Sequence, residues 1–267
     1  MSLTRTLAVV LRQAYLIRGS LSRVFPLFAW VAVDMVLWGF ISRYLGSITA
    51  SRYNFVLGLL GAVLLWDFLV RVMQGVTMAF FEDVWSRNFL NIFATPLSIA
   101  DYLGGLVISS IATSSIGLVV MLGLTTTVFG LSFLAYGIMI VPSLLILFLC
   151  GIALGIVSSA LVLRAGPAAE WFIWPLPAVI SPFAGVFYPI STLPHWMQAV
   201  SAALPPAYVF EGMRTEVAGR PVAAADLLLG GVLAVTYLLL ACWFFARTYR
   251  YAVRTGLLAR YSAESVS

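Results

Sequence analysis

The sequence predicts an all-α protein that spans a membrane, and its composition is the first reason. Hydrophobic residues make up 62% of the 267 residues, charged residues make up only 9%, and the mean hydropathy is +1.04. A soluble domain carries about 25% charged residues, so this chain has too few charged side chains to form the surface of a soluble protein. Helices of about 20 apolar residues can cross a bilayer, and several runs have that length. We therefore expect one membrane domain over residues 1–267.

Six apolar runs match the length of a transmembrane helix. They lie at about 24–42, 55–80, 102–128, 137–163, 168–190 and 226–246. Before them, residues 1–22 place apolar side chains at helical spacing with arginines opposite, which is typical of an amphipathic helix on a membrane surface. The predicted fold class is therefore six transmembrane helices with an N-terminal amphipathic interface helix.

The basic residues set the expected orientation and exclude one kind of chemistry. All 15 are arginine, and they concentrate on the side that is cytoplasmic if the N-terminus lies inside. A phosphate-binding P-loop needs a lysine, so this chain cannot carry one. The sole histidine, His195, has no metal-ligand companions, and Cys150 and Cys242 lie in apolar runs. We predict no catalytic, cofactor or metal site.

The segment between the second and third predicted spans does more than connect them. In "EDVWSRNFLNIFATPLSIADYL" an acidic pair precedes apolar residues at three- and four-residue spacing, which predicts a short amphipathic helix at about 82–97. Ser98 and Asp101 then form an S-x-x-D capping box that begins the third span. This cytoplasmic helix is either an interfacial turn or a docking surface for a partner.

The segment before the last span is also unusual. The predicted fifth span contains several prolines, each of which removes a backbone donor that lipid cannot replace. A short amphipathic stretch with Trp196 follows, and two prolines end it. We predict a re-entrant or interfacial helical segment over about 183–207 that lines a cavity, with Trp196 at headgroup depth.

Three charges fall inside predicted spans, where an ion is costly unless it is paired or hydrated. Asp67 and Arg71 stand at i and i+4, so they can pair on one helix face. Two interpretations are open for this pair, a structural bridge and a substrate or proton path. Asp34 has no partner nearby in sequence and is predicted to face the bundle or a subunit interface.

Together these features resemble the ABC-2-type transporter permeases. The inner segment is similar to a pattern of this family in which a glutamate is followed by a short helix and then by P-L-S and an acidic residue. It departs from the family at residues 84–87, which stand in place of the core of the common E-R-E-x-G-T-L-E motif. The outer segment is similar to the family's glycine, aromatic–proline, LP-x-W, and LP with a closing arginine. These positions are Gly185, Tyr188–Pro189, Leu193–Pro194 with Trp196, Leu204–Pro205 and Arg214.

The resemblance implies the permease subunit of an ATP-driven exporter, in which two permease chains, identical or paralogous, pair with two ATP-binding subunits. ATP and magnesium would bind to those partners, so this chain would not be an enzyme. It would be a multi-pass protein of the bacterial inner membrane, in contact with lipids and not nucleic acid, with both termini in the cytoplasm.

The resemblance also implies roles for two groups of residues. The inner helix would be a coupling helix that docks on the ATP-binding subunit, with contact residues Glu82, Asp83, Arg87, Asn91, Phe93 and Pro96. The outer segment would be an outer gate formed by Gly185, Phe187, Tyr188, Pro189, Pro194 and Trp196.

Two other functions are compatible with the residues. One is an ion-coupled secondary transporter that uses Asp34, Asp67 and Arg71, and the other is a non-transporting membrane scaffold. Because the spans contain few polar side chains, a transported substrate is predicted to be hydrophobic or amphipathic, such as a drug, a lipid or a lipid-linked glycan; a polysaccharide is the other class.

Overall fold

The structure, a computed structural model, describes residues 2–19, 21–47, 52–86, 91–92, 94–130, 137–166 and 169–257. The described chain is all-α, as predicted, and contains no strand. Its helices are α1 (Leu3–Arg18), α2 (Leu21–Ser47), α3 (Arg52–Trp85), α4 (Ile99–Phe129), α5 (Ile140–Ala165), α6 (Glu170–Ile173), α7 (Leu176–Ala184), α8 (His195–Ser201), α9 (Pro205–Val217) and α10 (Ala224–Arg254).

Four helical stretches of the described chain are long and apolar enough to cross a membrane. They are Val56–Trp85, Ile99–Phe129, Gly137–Ala165 and Ala224–Arg254. Four of the predicted apolar spans are thereby confirmed as long helices. The first predicted span, 24–42, falls within α2, a continuous helix of 27 residues, or about 40 Å at 1.5 Å per residue.

The predicted fifth span, 168–190, does not form one helix. Helix α6 ends at Ile173, and α7 begins at Leu176 after a short turn. Pro175 is the residue before α7 and Pro177 lies in its first turn, where the missing amide donors cost least. The prolines therefore divide this region, and α7 ends before Gly185.

The bundle has two ends, which we name by a residue at each. The Asp83 end contains α1, the C-terminus of α3 and the N-terminus of α4, which meet at Asp83. The Glu211 end contains α7, α8, α9 and the start of α10. The hydroxyl of Tyr237, near the middle of α10, donates a hydrogen bond to the carbonyl of Ala203, just after α8, at 2.7 Å.

Helix α3 lies at the centre of the bundle. In its most apolar stretch of 18 residues 67% of the residues are buried, whereas in the corresponding stretch of α10 only 22% are. Helix α5 approaches it closely at Gly151 and Gly155. A Cβ placed on Gly151 would lie 2.8 Å from the carbonyl oxygen of Leu69, and one on Gly155 would lie 2.8 Å from that of Met73. This is the small-xxx-small spacing that lets membrane helices pack backbone to backbone.

A substitution at Gly155 tests this contact. Gly155→Ala places a methyl group against the backbone of Met73, and we expect the free energy of unfolding to fall by about 1–3 kcal/mol, as for other overpacked sites. Gly231→Ala in α10 is the matched control, because no atom lies within 4 Å of its Cβ position. Unfolding in detergent measures both, and equal stabilities would contradict the close packing.

Candidate functional site

At the Asp83 end, a buried carboxylate joins three helices. Asp83 lies in the last turn of α3, and no part of its surface is exposed. It accepts hydrogen bonds from the guanidinium of Arg12 in α1 and from the hydroxyl of Tyr102 in α4, the latter at 2.7 Å. A buried charge needs partners of this kind to offset its lost hydration. The hydrogen bond from Asp83 raises the pKa of Arg12, although partial burial acts against this, so Arg12 stays protonated.

A second attachment holds the N-terminus of α1 against α4. The backbone amide of Ser2 donates a hydrogen bond to Asp101 at 2.7 Å. Asp101 also forms the capping box with Ser98: its amide donates to the Ser98 hydroxyl at 3.2 Å, and its carboxylate accepts from the Ser98 amide at 3.3 Å. The predicted capping box is confirmed, and its acidic residue has the additional role of holding α1.

The orientation of α1 follows from these attachments. Thr6, Val9 and Gln13 are buried. Val9 packs tightly on α4: a Cβ atom placed on Gly105 would lie only 2.5 Å from the Cβ atom of Val9. The large apolar side chains at four-residue spacing are exposed on another face; they are Leu3, Leu7, Leu11 and Tyr15. Helix α1 is thus held by a small polar and aliphatic face, and its leucine stripe is left open.

The predicted coupling residues divide into three groups. Glu82 and Asp83 belong to α3 itself, which continues to Trp85 and not only to the predicted boundary at 80. Asp83 is inside the bundle, where it contacts Arg12 of α1 and Tyr102 of α4. Asn91 and Pro96 are exposed. Two further predicted contacts, Arg87 and Phe93, lie outside the described residues.

At the Glu211 end, the chain reverses directly after α7. Gly185 ends this helix with φ of 62°, a left-handed conformation that favours glycine. The ring of Phe187 then stacks on Trp38 of α2, with ring centroids 5.3 Å apart and planes 13° apart. The hydroxyl of Tyr188 donates back to the carbonyl of Pro182 in α7 at 3.0 Å. The turn is therefore folded on itself and on α2.

Two charged side chains of α9 hold this turn by its backbone. The carboxylate of Glu211 accepts a hydrogen bond from the amide of Ile190 at 2.7 Å, and Arg214 donates one to the carbonyl of Tyr188 at 2.6 Å. The two side chains form an ion pair of 3.5 Å. Burial lowers the pKa of Arg214, and Glu211 opposes this effect. Sequence reasoning named Arg214 and missed Glu211, although its i, i+3 spacing from Arg214 was a usable signal.

Helix α8 directs part of its apolar face outwards. Trp196 and Val200 are exposed, while Ser201 is buried and donates to the carbonyl of Met197 at 2.9 Å. The amide of Gln198 donates to the carbonyl of Leu193 at 2.7 Å, on the inner side. Because the bilayer is the surrounding solvent, an outward apolar face costs nothing. Pro189 and Pro194 are also exposed.

Within the bundle, the structure brings the three intramembrane charges together. Asp34 of α2 has Arg71 of α3 as an electrostatic partner, and its charge also acts on Asp67. The side chain of Arg71 runs along α4, with its Cδ 3.2 Å from a Cβ placed on Gly117. One carboxylate oxygen of Asp67 is buried without a hydrogen-bond partner among the described residues. Asp34, which has no partner nearby in sequence, therefore interacts with the Asp67–Arg71 pair across the bundle, and the three residues form a three-charge cluster.

The helices that can cross a bilayer define a multi-pass membrane protein. A model of the ABC-2 type transporter family matches residues 5–216, which include both ends of the bundle. The chain therefore belongs to the ABC-2 type transporter family, as its motifs indicated, and is a membrane permease component of ABC-type transport. A search of curated proteins finds no match.

The ion pair at the Asp83 end generates a stability prediction. Arg12→Gln removes the charged donor and leaves a buried carboxylate, so we expect the free energy of unfolding to fall by about 1–3 kcal/mol; this is below the range for fully buried pairs because Arg12 is partly exposed. Arg18→Gln on the same helix should change it by less than about 0.5 kcal/mol, since Arg18 is exposed and has no ion pair among the described residues. Detergent unfolding measures the difference, and two equally stable variants would show that α1 is held by other contacts.

The backbone attachment at the Glu211 end predicts a change in amide exchange. Glu211→Ala leaves the Ile190 amide without its acceptor, and losing about 1.4 kcal/mol of protection makes exchange about tenfold faster. The control is Glu216→Ala on the same helix, whose carboxylate faces Gly137. Hydrogen exchange of peptides covering 186–194 decides the matter: unchanged protection in Glu211→Ala would refute the attachment.

Proposed function

We propose that this chain is the permease subunit of an ATP-driven exporter. Membership of the ABC-2 type transporter family supports the permease role. Two permease chains, identical or paralogous, pair with two ATP-binding subunits, which bind ATP and magnesium. The substrate is hydrophobic or amphipathic, such as a drug, a lipid or a lipid-linked glycan, or it is a polysaccharide, and it leaves the cytoplasm or the inner leaflet.

The position of Asp83 supports this proposal most directly. Its buried contacts join α1, α3 and α4 at the point where α3 ends. The proposed coupling helix follows within a few residues, with Asn91 and Pro96 exposed. A movement of the ATP-binding subunit against this helix therefore acts on three helices at once, which is what a coupling element must do.

The membrane arrangement follows from charge. The Asp83 end faces the cytoplasm of a bacterial cell, with the membrane crossed six times, by the four apolar helices, by α2, and by the broken α6–α7 region. Arginines gather at this end, as the positive-inside rule requires; those in described helices are Arg5, Arg12, Arg18, Arg23, Arg164, Arg247, Arg250 and Arg254. The exposed leucines of α1 then lie in the inner interface.

The Glu211 end is the proposed outer gate. Its turn carries exposed aromatic and proline side chains beside α2, and two charged side chains attach its backbone to α9. Such a segment can move as a unit when those few bonds break, whereas a continuous transmembrane helix cannot.

Cross-linking tests the docking assignment. The two native cysteines are first replaced, by Cys150→Ser and Cys242→Ser. In this background Asn91→Cys should cross-link to a co-expressed ATP-binding subunit, because Asn91 is exposed in the proposed coupling helix. Ala202→Cys, which is exposed near the Glu211 end, is the control and should not. Arg87→Glu should keep the complex folded but lose ATP-driven export, while Arg254→Glu at the same end should retain it.

Three outcomes would overturn the proposal. Cross-linking of Ala202→Cys instead of Asn91→Cys would reverse the orientation. Full export by Arg87→Glu would remove the coupling role. Uptake or efflux driven by a proton gradient without nucleotide would identify a secondary transporter, and a stable complex without any transport would indicate a scaffold.

A further inference from the structure

We propose that the three-charge cluster and the neighbouring aromatic pair form a binding site for an amphipathic organic cation. This inference rests on the proposed function and names a substrate class for it. The site is lined by Asp34 and Trp38 of α2, Asp67 and Arg71 of α3, Ser114 of α4 and Phe187 of the outer turn.

The charge of the cluster is the first step. When both carboxylates are ionised, the described charges of the cluster sum to −1, because Arg71 neutralises at most one of the two carboxylates. Uncompensated charge inside a membrane is costly and typically marks a substrate or ion site. A ligand that carries one positive charge would complete the neutralisation, whereas an anion would be repelled.

Unused polar groups are the second step. A carboxylate oxygen of Asp67 is buried without a hydrogen-bond partner, and so is the hydroxyl of Ser114, which is 2% exposed; both statements refer to the described residues. Ser114 lies on the α4 face that contacts α3. On that face Ser110 donates a hydrogen bond to Val72 and Gly117 contacts Arg71. The hydroxyl of Ser114 therefore lies at the same depth in the bundle as the charge cluster, where it could bind a ligand.

The aromatic pair is the third step. Asp34 and Trp38 are four residues apart on α2, so they lie on one face about 6 Å apart along the axis. Helical side chains lean towards the N-terminus, which tilts Trp38 towards the turn that carries Asp34. Trp38 stacks on Phe187, which is 43% exposed. Aromatic faces beside carboxylates are the usual recognition chemistry for organic ammonium and phosphonium ions.

The residues around Asp34 favour a ligand whose uncharged part is apolar. Asp34 is only partly buried, and the exposed residues next to it on α2 are apolar, with Val33 and Leu37 more than half exposed. A ligand at this position would place its charge between the carboxylates and the rings and its body among aliphatic side chains. A small hydrated cation would lack this second contact.

Binding of labelled tetraphenylphosphonium to the full chain in lipid nanodiscs tests this site without ATP or a partner. We expect saturable binding above that of empty nanodiscs, displaced by the unlabelled cation and not by neutral triphenylphosphine oxide at the same concentration. Asp34→Asn and Asp67→Asn should each weaken binding about tenfold or more, and Trp38→Leu should weaken it about three- to tenfold.

The controls separate a local effect from misfolding. Trp38→Phe keeps an aromatic face and should bind within about threefold of the wild type, and Asp226→Asn removes a carboxylate at the start of α10, away from the cluster, and should bind as the wild type does. Displacement by the neutral oxide as strongly as by the cation, or unchanged binding in both Asp→Asn variants, would overturn the proposal. So would wild-type binding equal to that of empty nanodiscs.

The outcome is independent of the test of the proposed function. A chain that cross-links to its ATP-binding subunit and exports, yet binds the phosphonium no better than empty nanodiscs do, keeps its function and loses this site. A chain that binds the phosphonium and moves it along a proton gradient without nucleotide keeps the site and loses the ATP-driven function.

Discussion

The burial of one carboxylate organises the Asp83 end of this protein. Asp83 has no contact with solvent, so its charge is stable only while Arg12 and Tyr102 both reach it. Those two residues come from α1 and α4, which must therefore meet α3 at one point. Breaking this pair is destabilising because the Asp83 carboxylate left behind cannot be rehydrated. The position of the amphipathic helix is thus set by electrostatics, while its leucine stripe stays free for lipid.

Helix α3, which carries Asp83 in its last turn, also connects the other features. Its middle carries Asp67 and Arg71, and beside them Gly151 and Gly155 of α5 bring the two backbones into contact. Such close packing resists sliding and bending, because protein interiors leave few voids. A displacement at the end of α3 would therefore reach the intramembrane charges largely undamped, which fits the proposed coupling of ATP hydrolysis to a site in the membrane.

Local patterns in the sequence predicted the fold better than the site. The Ser98–Asp101 box and the break near Pro175 depend on neighbours in the chain, so both could be predicted from the sequence. The partner of Asp83 is 71 residues away, and no local pattern identifies it. The spacing of Glu211 from Arg214 indicates an ion pair, but no local pattern indicates that Glu211 also accepts a hydrogen bond from the distant amide of Ile190.

The two ends are held by charges of different exposure, and this difference bears on their proposed roles. Asp83 is fully buried, whereas the Glu211 side chain is 41% exposed and that of Arg214 is 21% exposed. Water can replace the bonds of a partly exposed carboxylate at little cost, because the hydrated and paired states have similar energies. It cannot reach Asp83 without opening the bundle. The Glu211 end can therefore release its turn and recapture it, while the Asp83 end transmits movement without coming apart. The proposed exporter would use this asymmetry, with the firm attachment at the proposed coupling end and the reversible one at the proposed outer gate.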